Sequence, residues 1–320
     1  MNPPPPVTGP GPLGAQWPGW VARHALAGVP PAELVDALVA EGVDLARATA
    51  EVAAVTGSPV FEVARAAAAR GAAVERAARL HRELDPEPLV VRDALDEHTL
   101  YREHWTPGRP VVVRGAASGW PAARWTFPEL GRRFPWAPID VLVRGEGWWH
   151  QPRVTRRTTF GALVDTALGP PSDHLYADGR VDLLDQAAMA PLRAELGLLP
   201  GLVGDGHPRA WVGPAATITP THHDQSTGWL VQLIGHKRVH LASPLEPELA
   251  DTAVGLYNTV DPRERTGAAR WHRVDLAPGD ALLTPVGWWH HVEALTPSFS
   301  VSFSGFRWPN AFPWFVAGRT

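Results

Sequence analysis

Apolar residues recur at three- and four-residue spacing through the first quarter of the chain. The segments PPAELVDALVAEG, residues 30–42, and VDLARATAEVAAVTG, residues 43–57, both show this spacing. Ser58 and Pro59 then supply an N-cap and a first-turn proline for a long segment that ends near Leu84. The pattern predicts a region of three or four α-helices.

From about Pro88 the pattern changes to short apolar runs separated by turn residues. The runs are PVVVRG, PIDVLVRG, TGWLVQLIG, KRVHLASP, ALLTPVGWW and SFSVSFSGF. Short β-strands at such intervals are typical of a sandwich or barrel. We therefore predict a disordered Pro/Gly-rich segment at residues 1–18, a helical extension at 19–87 and a β domain at 88–320. The alanine-rich extension is expected to pack against the β domain, to form a homodimer or to recognise a peptide.

Composition narrows the class of protein. With 320 residues, 45% of them hydrophobic, the chain can bury a full core. A net charge of -4 with scattered basic residues argues against nucleic acid or an acidic membrane as the main partner. The sequence shows neither a long apolar run nor a signal peptide, so we expect a cytoplasmic protein. Because there is no cysteine, any metal must be bound by nitrogen and oxygen atoms.

Lys237 is the single lysine among the 29 basic residues counted as Lys plus Arg. The skew towards arginine, alanine, proline and glycine is typical of a GC-rich bacterial genome. A lysine retained against that skew indicates a place where arginine does not fit. A compact ammonium on a flexible stem suits a carboxylate at the bottom of a narrow pocket, although a chance survivor on a strand edge is the alternative.

The stretch THHDQSTGWLVQLIGHKRVH, residues 221–240, contains a candidate metal site. In a strand, His222 and Asp224 share one face while His223 points to the other. A histidine and a carboxylate make two thirds of the 2-His-1-carboxylate triad that binds Fe(II) and leaves positions open. His290, at the start of a later predicted strand, is the candidate third ligand. The neighbouring pair His291 and Glu293 is a competing possibility.

Three segments resemble the cupin-like branch of the JmjC Fe(II)/2-oxoglutarate dioxygenases, which includes the asparaginyl hydroxylase that inhibits hypoxia-inducible factor. They are ITPTHHDQSTGWLVQLIGHKRVHLASP, PGDALLTPVGWWHHVEALTPSFSVSF and RPVVVRGAASGWPAARWTFPEL. The resemblance covers about residues 88–320 and implies a mainly β fold, a double-stranded β-helix or jelly roll, behind the N-terminal helical extension. It also implies Fe(II), 2-oxoglutarate and O2 as cofactor and cosubstrates.

The resemblance assigns roles to individual residues. His222, Asp224 and His290 would be the catalytic iron ligands, with His223 and His291 as neighbours on the opposite strand face. Lys237 falls where the family places the lysine that pairs with the distal carboxylate of 2-oxoglutarate. Three further residues would contribute hydroxyl groups to cosubstrate binding: Thr219, Tyr176 and Ser302. The alternatives are a core tyrosine for Tyr176 and an ordinary inward strand position for Ser302.

Some positions depart from the family pattern or carry no clear role. Where many members have an asparagine six residues after the first ligand, this chain has Gly228. Candidates to wall a substrate channel are Trp148, Trp149, Trp229, Trp288 and Trp289, and the last two are also expected to pack the barrel.

The function implied is hydroxylation of a C–H bond with release of succinate and CO2. A side chain of a peptide or protein is the first choice of substrate, including a natural-product precursor peptide. The alternatives are a small-molecule hydroxylase of the same fold, a metal-dependent cupin that does not use 2-oxoglutarate, and a catalytically inactive binding module. Histone demethylation is not expected for a chain of bacterial composition.

Overall fold

The computed structural model describes residues 16–145, 154–179, 181, 183–264 and 267–316. These residues divide into two compact units, one ending at Glu83 and the other beginning at Leu84. The helices are α1 (Gln16–Leu26), α2 (Pro31–Ala40), α3 (Leu45–Thr56), α4 (Pro59–Leu84), α5 (Glu97–Thr99), α6 (Phe127–Arg133), α7 (Phe160–Leu168), α8 (Ala190–Ala194) and α9 (Pro247–Asp251). Single helical turns also cover Leu100–Trp105, Pro121–Arg124, Leu183–Asp185 and Ala187–Met189.

The first unit consists of α1 to α4, as the three- and four-residue spacing predicts. The Ser58 Oγ accepts a hydrogen bond from the Phe61 amide at 3.1 Å, which confirms the predicted N-cap of α4. Helix α1 begins at Gln16, so the last three residues of the segment predicted to be disordered are helical. The reason is apolar burial, because Trp17 is 2% exposed and packs edge-on against Trp20.

The second unit is mainly β. Its strands are β1 (Val90–Arg92), β2 (Val111–Val113), β3 (Pro138–Val143), β4 (Val154–Thr159), β5 (Leu175–Tyr176), β6 (Pro208–Gly213), β7 (Ile218–His222), β8 (Gly228–Ile234), β9 (Lys237–Ala242), β10 (Ala253–Val254), β11 (Tyr257–Asn258), β12 (His272–Leu276), β13 (Ala281–Thr284), β14 (Trp289–Ala294) and β15 (Ser298–Phe303). Each of the apolar runs predicted to be a strand contains one.

Two six-stranded sheets form the jelly roll that the sequence predicts. Their strand orders are β1-β2-β13-β8-β15-β6 and β10-β11-β7-β14-β9-β12. A smaller sheet has the order β4-β3-β5. The pairs are antiparallel apart from β1 with β2. Antiparallel neighbours place residues of distant sequence segments directly opposite each other, and this pairing assembles the site.

Strand alternation separates an interior from an outer face in the barrel. On β9, Lys237, Val239 and Leu241 are buried, while Arg238 and His240 between them are only partly covered. Val239 and Leu241 belong to an apolar cluster that also contains Val112, Val274, Leu276, Leu282 and Trp288. A second, larger cluster covers the other face of the β8 and β15 strands with α6 and α7. Burial of this apolar surface is the main term that stabilises the unit.

Within the part of the chain that the structure describes, no helix is both long enough and apolar enough to cross a bilayer.

Candidate metal and cosubstrate site

His222 and His290 lie opposite each other on the neighbouring strands β7 and β14. Their ring centroids are 4.0 Å apart. The His222 Nδ1 bonds the Pro220 carbonyl at 2.8 Å, and the His290 Nδ1 bonds the Trp288 carbonyl at 2.9 Å. Because a carbonyl oxygen can only accept, each Nδ1 carries the proton, and in the neutral ring the lone pair is on Nε2. This arrangement orients histidine ligands in metal sites.

Asp224 supplies the carboxylate of the cluster. Strand β7 ends at His222, so Asp224 lies in the loop before β8 and not on the strand that the alternation argument assumed. The Gly287 amide donates to the Asp224 carbonyl at 3.0 Å and fixes the loop. The carboxylate Oδ2 is 3.8 Å from the His290 Nε2, and the Asp224 side chain is 59% exposed. The loop therefore brings the carboxylate to the two histidines from the open side.

One possible ligand atom from each of His222, Asp224 and His290 lies within 4.8 Å of the others. Two imidazole nitrogens and one carboxylate oxygen form the donor set of non-haem Fe(II) sites with open positions. The donor chemistry and the spacing therefore fit an iron ion.

His223 and His291 lie outside this cluster. His223 packs edge-on against Trp289, with ring centroids 4.7 Å apart, and burial lowers its pKa. Burial also lowers the pKa of His291 to about 4, and its Nδ1 is 3.5 Å from the Thr221 Oγ1. Both side chains serve the packing of the fold on the other side of the strands.

Lys237 lies buried at the other end of the same cavity, 3% exposed. Its Nζ donates to the Tyr176 hydroxyl at 3.3 Å. Burial, and after it the nearby charge of Arg144, together lower the pKa of Lys237 from 10.5 to about 7. Among the described residues no carboxylate forms an ion pair with Lys237. A buried amine in such a position has the chemistry to attract an anion.

The cavity has a volume of about 120 Å³, which is room for a ligand the size of a small dicarboxylate. All seven predicted site residues line it: Tyr176, Thr219, His222, Asp224, Lys237, His290 and Ser302. Gly228 also faces this space. Burial raises the pKa of Tyr176, so its hydroxyl stays protonated at neutral pH. The cavity therefore has three metal-binding atoms at one end and hydroxyl and amine donors at the other.

The tryptophans predicted to wall a channel divide into three groups. Trp148 and Trp149 lie outside the described residues. Trp229 lines the cavity and donates its Nε1–H to the Pro200 carbonyl at 3.2 Å. Trp288 and Trp289 are buried in apolar clusters and do not line the cavity.

Two residues near the cavity were missed from the sequence. Trp211 lines it and donates its Nε1–H to the Ser302 Oγ at 2.9 Å. Arg144 stands behind Tyr176, with its Cζ 4.3 Å from the ring centroid. Neither residue was distinguishable among many tryptophans and arginines, because folding alone brings Trp211 to the cavity and Arg144 to the Tyr176 ring.

A jelly-roll fold with a 2-His-1-carboxylate cluster is typical of the cupin class of proteins. Comparison with known proteins gives the same class. Residues 97–306 match the family described as Cupin-like domain. The chain belongs to this cupin-like JmjC family. Members of the family use Fe(II), 2-oxoglutarate and O2, and this chain has the His-Asp-His cluster.

Particular relatives are similar over much of the chain. Lysine-specific demethylase JMJ30 of Arabidopsis thaliana is 31% identical over 69% of this chain and 56% of its own length. Lysine-specific demethylase 8 of Xenopus tropicalis is 28% identical over 69% of this chain and 53% of its own length. HSPB1-associated protein 1 of Mus musculus is 37% identical over 59% of this chain and 46% of its own length.

The chain spans about half the length of these curated relatives. All three relatives are eukaryotic proteins, so the bacterial origin inferred from composition stays a prediction.

Proposed function

We propose that this protein is an Fe(II)- and 2-oxoglutarate-dependent dioxygenase that hydroxylates a C–H bond. The observation that carries the proposal is one cavity with a 2-His-1-carboxylate cluster at one end and a buried lysine at the other. When bound, iron with 2-oxoglutarate and O2 supplies the oxidising power for the reaction, which releases succinate and CO2.

His222, Asp224 and His290 would hold the iron. The carbonyl groups of Pro220 and Trp288 fix the tautomer and orientation of the two rings. The carboxylate of Asp224 comes from the exposed loop and would neutralise part of the metal charge. Three protein ligands leave the remaining coordination positions to the cosubstrates.

Lys237, Tyr176, Thr219 and Ser302 would bind 2-oxoglutarate. A dicarboxylate bound to the metal would direct its far carboxylate to the Lys237 amine and the Tyr176 hydroxyl, which already contact each other. The arriving negative charge favours the protonated amine and compensates its burial. Thr219 lies on β7, three residues before His222, and lines the same cavity, where its hydroxyl would complete the binding of the cosubstrate.

The substrate is proposed to be a side chain of a peptide or protein, which includes a natural-product precursor peptide. Two of the similar proteins carry the name lysine-specific demethylase, and the third is named for association with another protein. These names favour a macromolecular substrate over a small metabolite. A cytoplasmic location and a homodimer belong to the same proposal.

Turnover can be tested by incubating the protein, purified without oxygen, with Fe(II), 2-oxoglutarate and O2 and measuring succinate. We expect succinate from the wild type and none from His222→Ala. Lys237→Ala should need far more 2-oxoglutarate. His236→Ala is the matched control, because His236 is exposed and lies next to Lys237 outside the cavity.

A wild type that neither forms succinate nor binds 2-oxoglutarate when loaded with metal would refute the dioxygenase proposal. It would favour a metal-dependent cupin without this cosubstrate or an inactive binding module. If succinate is formed, peptide libraries can separate two chemistries. Hydroxylation adds the mass of one oxygen atom to the peptide, whereas demethylation of an N-methyl group releases formaldehyde.

A further inference from the structure

Arg144 is a buried cation behind the cosubstrate end of the cavity and directly follows β3. Its side chain is 2% exposed and forms an ion pair with Asp173. The Arg144 Nη1 donates to the Asp173 Oδ1 at 2.7 Å and to the Ile218 carbonyl at 2.9 Å. The Ile218 amide donates to the same Asp173 oxygen at 3.0 Å. The pair therefore holds both polar backbone groups of the residue that precedes Thr219.

Arg144 also contacts Tyr176 through its guanidinium group. The Cζ lies 4.3 Å from the Tyr176 ring centroid, a cation–π distance. The hydroxyl of that ring accepts the Lys237 Nζ–H. The Arg144 backbone is fixed as well, because its amide donates to the His174 carbonyl at 2.8 Å. One buried arginine thus contacts the backbone next to Thr219 and the Tyr176 ring, and the hydroxyl of that ring contacts the Lys237 amine.

We propose that Arg144, anchored by Asp173, is a positioning residue for 2-oxoglutarate that orders the Tyr176, Thr219 and Lys237 end of the cavity and adds a second positive charge there. This inference rests on the proposed function. Arg144 does not line the cavity, so it acts through its neighbours and through its field. Coulomb attraction of a dicarboxylate to two cations is strong in a poorly hydrated site.

The charge of Arg144 has a cost without the cosubstrate. Arg144 and Lys237 repel each other, and that repulsion is one cause of the lowered lysine pKa. A bound carboxylate offsets this repulsion because it attracts both groups. The arrangement therefore favours an anion, because an uncharged ligand of the same size gains nothing from the charge of Arg144.

The experiment measures binding of 2-oxoglutarate by calorimetry to the full chain loaded with Mn(II). We expect Arg144→Met to weaken 2-oxoglutarate binding about tenfold or more and Asp173→Asn by a smaller factor. Arg144→Lys, which keeps the charge and loses the forked donor geometry, should restore part of the affinity. The affinity for Mn(II) itself should stay at the wild-type value in all three variants.

Arg157→Met is the matched control. Arg157 also pairs with an aspartate, Asp140, in the small sheet that contains β3, but its side chain is 62% exposed. The Arg157→Met variant should bind 2-oxoglutarate with the affinity of the wild type. Asp173 is 32% exposed, so Asp173→Asn is the variant that tests the inference if Arg144→Met fails to fold.

The outcomes separate the two proposals. One outcome is that the wild type, Asp173→Asn and any folded Arg144 variant all bind 2-oxoglutarate equally well. Arg144 is then only structural, and the inference is overturned while the dioxygenase proposal stands. Equal losses of Mn(II) and 2-oxoglutarate binding would also overturn it, because they indicate general disruption. If the wild type itself fails to bind 2-oxoglutarate, the proposed function falls first.

Discussion

The burial of Lys237 makes the stability of the fold depend on pH. Its pKa is lowered from 10.5 to about 7 by burial first and by Arg144 second, and it contacts the Tyr176 hydroxyl. The amine is charged below about pH 7 and neutral above it. Between pH 7 and 10.5 the unfolded chain binds the extra proton, so this group makes the folded state more stable as the pH rises through that window.

Binding of 2-oxoglutarate should respond in the opposite sense. A carboxylate prefers the charged amine, so the affinity should fall as the pH rises above about 7, by at most about tenfold per pH unit. Calorimetry on the Mn(II)-loaded protein at several pH values measures this. Lys237→Met should bind weakly at every pH and lose the dependence. A wild-type affinity that is constant from neutral to alkaline pH would contradict the assignment.

Gly228 gives a second test at the residue scale. A Cβ built there meets only the Phe303 carbonyl, at an ordinary 3.7 Å, and the backbone is not left-handed. Gly228→Asn should therefore fold, with stability unchanged or raised by about 0.4–1 kcal/mol. It should tighten 2-oxoglutarate binding by adding an amide to the cavity wall. Gly228→Ala adds bulk without the amide and should not tighten 2-oxoglutarate binding. Equal effects of the two substitutions on this binding would argue against a polar contact.

Single residues were predictable from the sequence where their chemistry was rare or their spacing specific. Lys237 was marked by being the only lysine, and His222 and His290 by motifs that the resemblance aligns. Arg144 was not predictable, because nothing local distinguishes it from other arginines. Its importance comes from Asp173 and Ile218, which only folding brings to it.

At the scale of elements, the loop after β7 is held by the C-terminal segment. The Thr227 amide donates to the Asn310 Oδ1 at 2.8 Å, and the Asn310 Nδ2 donates to the Thr227 and Ser304 carbonyls. The Gln225 Nε2 donates to the Pro313 and Phe315 carbonyls. These bonds fix the loop that carries Asp224, so the end of the chain contributes to the geometry of the metal cluster.

Asn310→Ala should therefore weaken both fold and metal binding. Loss of these partly buried hydrogen bonds should lower the free energy of unfolding by about 1–3 kcal/mol, measured by denaturant titration. The affinity for Mn(II) should fall as well, because Asp224 becomes less well placed. Asn310→Asp keeps the acceptor for the Thr227 amide but sets a carboxylate oxygen against the Thr227 and Ser304 carbonyls, so its loss should be at least as large. Unchanged metal affinity in Asn310→Ala would separate the segment from the site.

The strands were largely predictable from the alternation of apolar and polar residues. The loop that carries Asp224 was not. Alternation placed His222 and Asp224 on one strand face, but β7 ends at His222 and hydrogen bonds from Gly287 and the C-terminal segment position Asp224. Those bonds join segments far apart in sequence, which no local pattern reveals. At the other end of the chain, Trp17 extends α1 into a segment whose composition indicates disorder.

At the scale of the whole molecule, all residues that line the cavity belong to the unit beginning at Leu84. We predict that a chain of residues 84–320 folds and binds Mn(II) and 2-oxoglutarate with wild-type affinity. The reason is that its apolar clusters are formed within the same unit. Circular dichroism and calorimetry measure the two properties. A shortened chain that folds but does not bind would give the helices a direct part in the site.

The helical unit is the proposed dimerisation element. Helix α4 carries exposed valine and leucine side chains along its length, including Val60, Val63 and Leu84. Light scattering on the full chain and on residues 84–320 should show a dimer and a monomer, respectively. A monomeric full chain would leave packing or peptide recognition for these helices.

The single lysine also gives the protein a built-in chemical reporter. Apart from the α-amino group, an amine-selective reagent has one side chain to modify, and that side chain is buried in the wall of the cavity. Its lowered pKa supplies a substantial unprotonated fraction at neutral pH, which is the form that acylating reagents attack. Mass spectrometry of a labelled peptide would therefore read occupancy of the cavity directly, without an engineered probe. A ligand that fills the cavity would appear as protection of one residue.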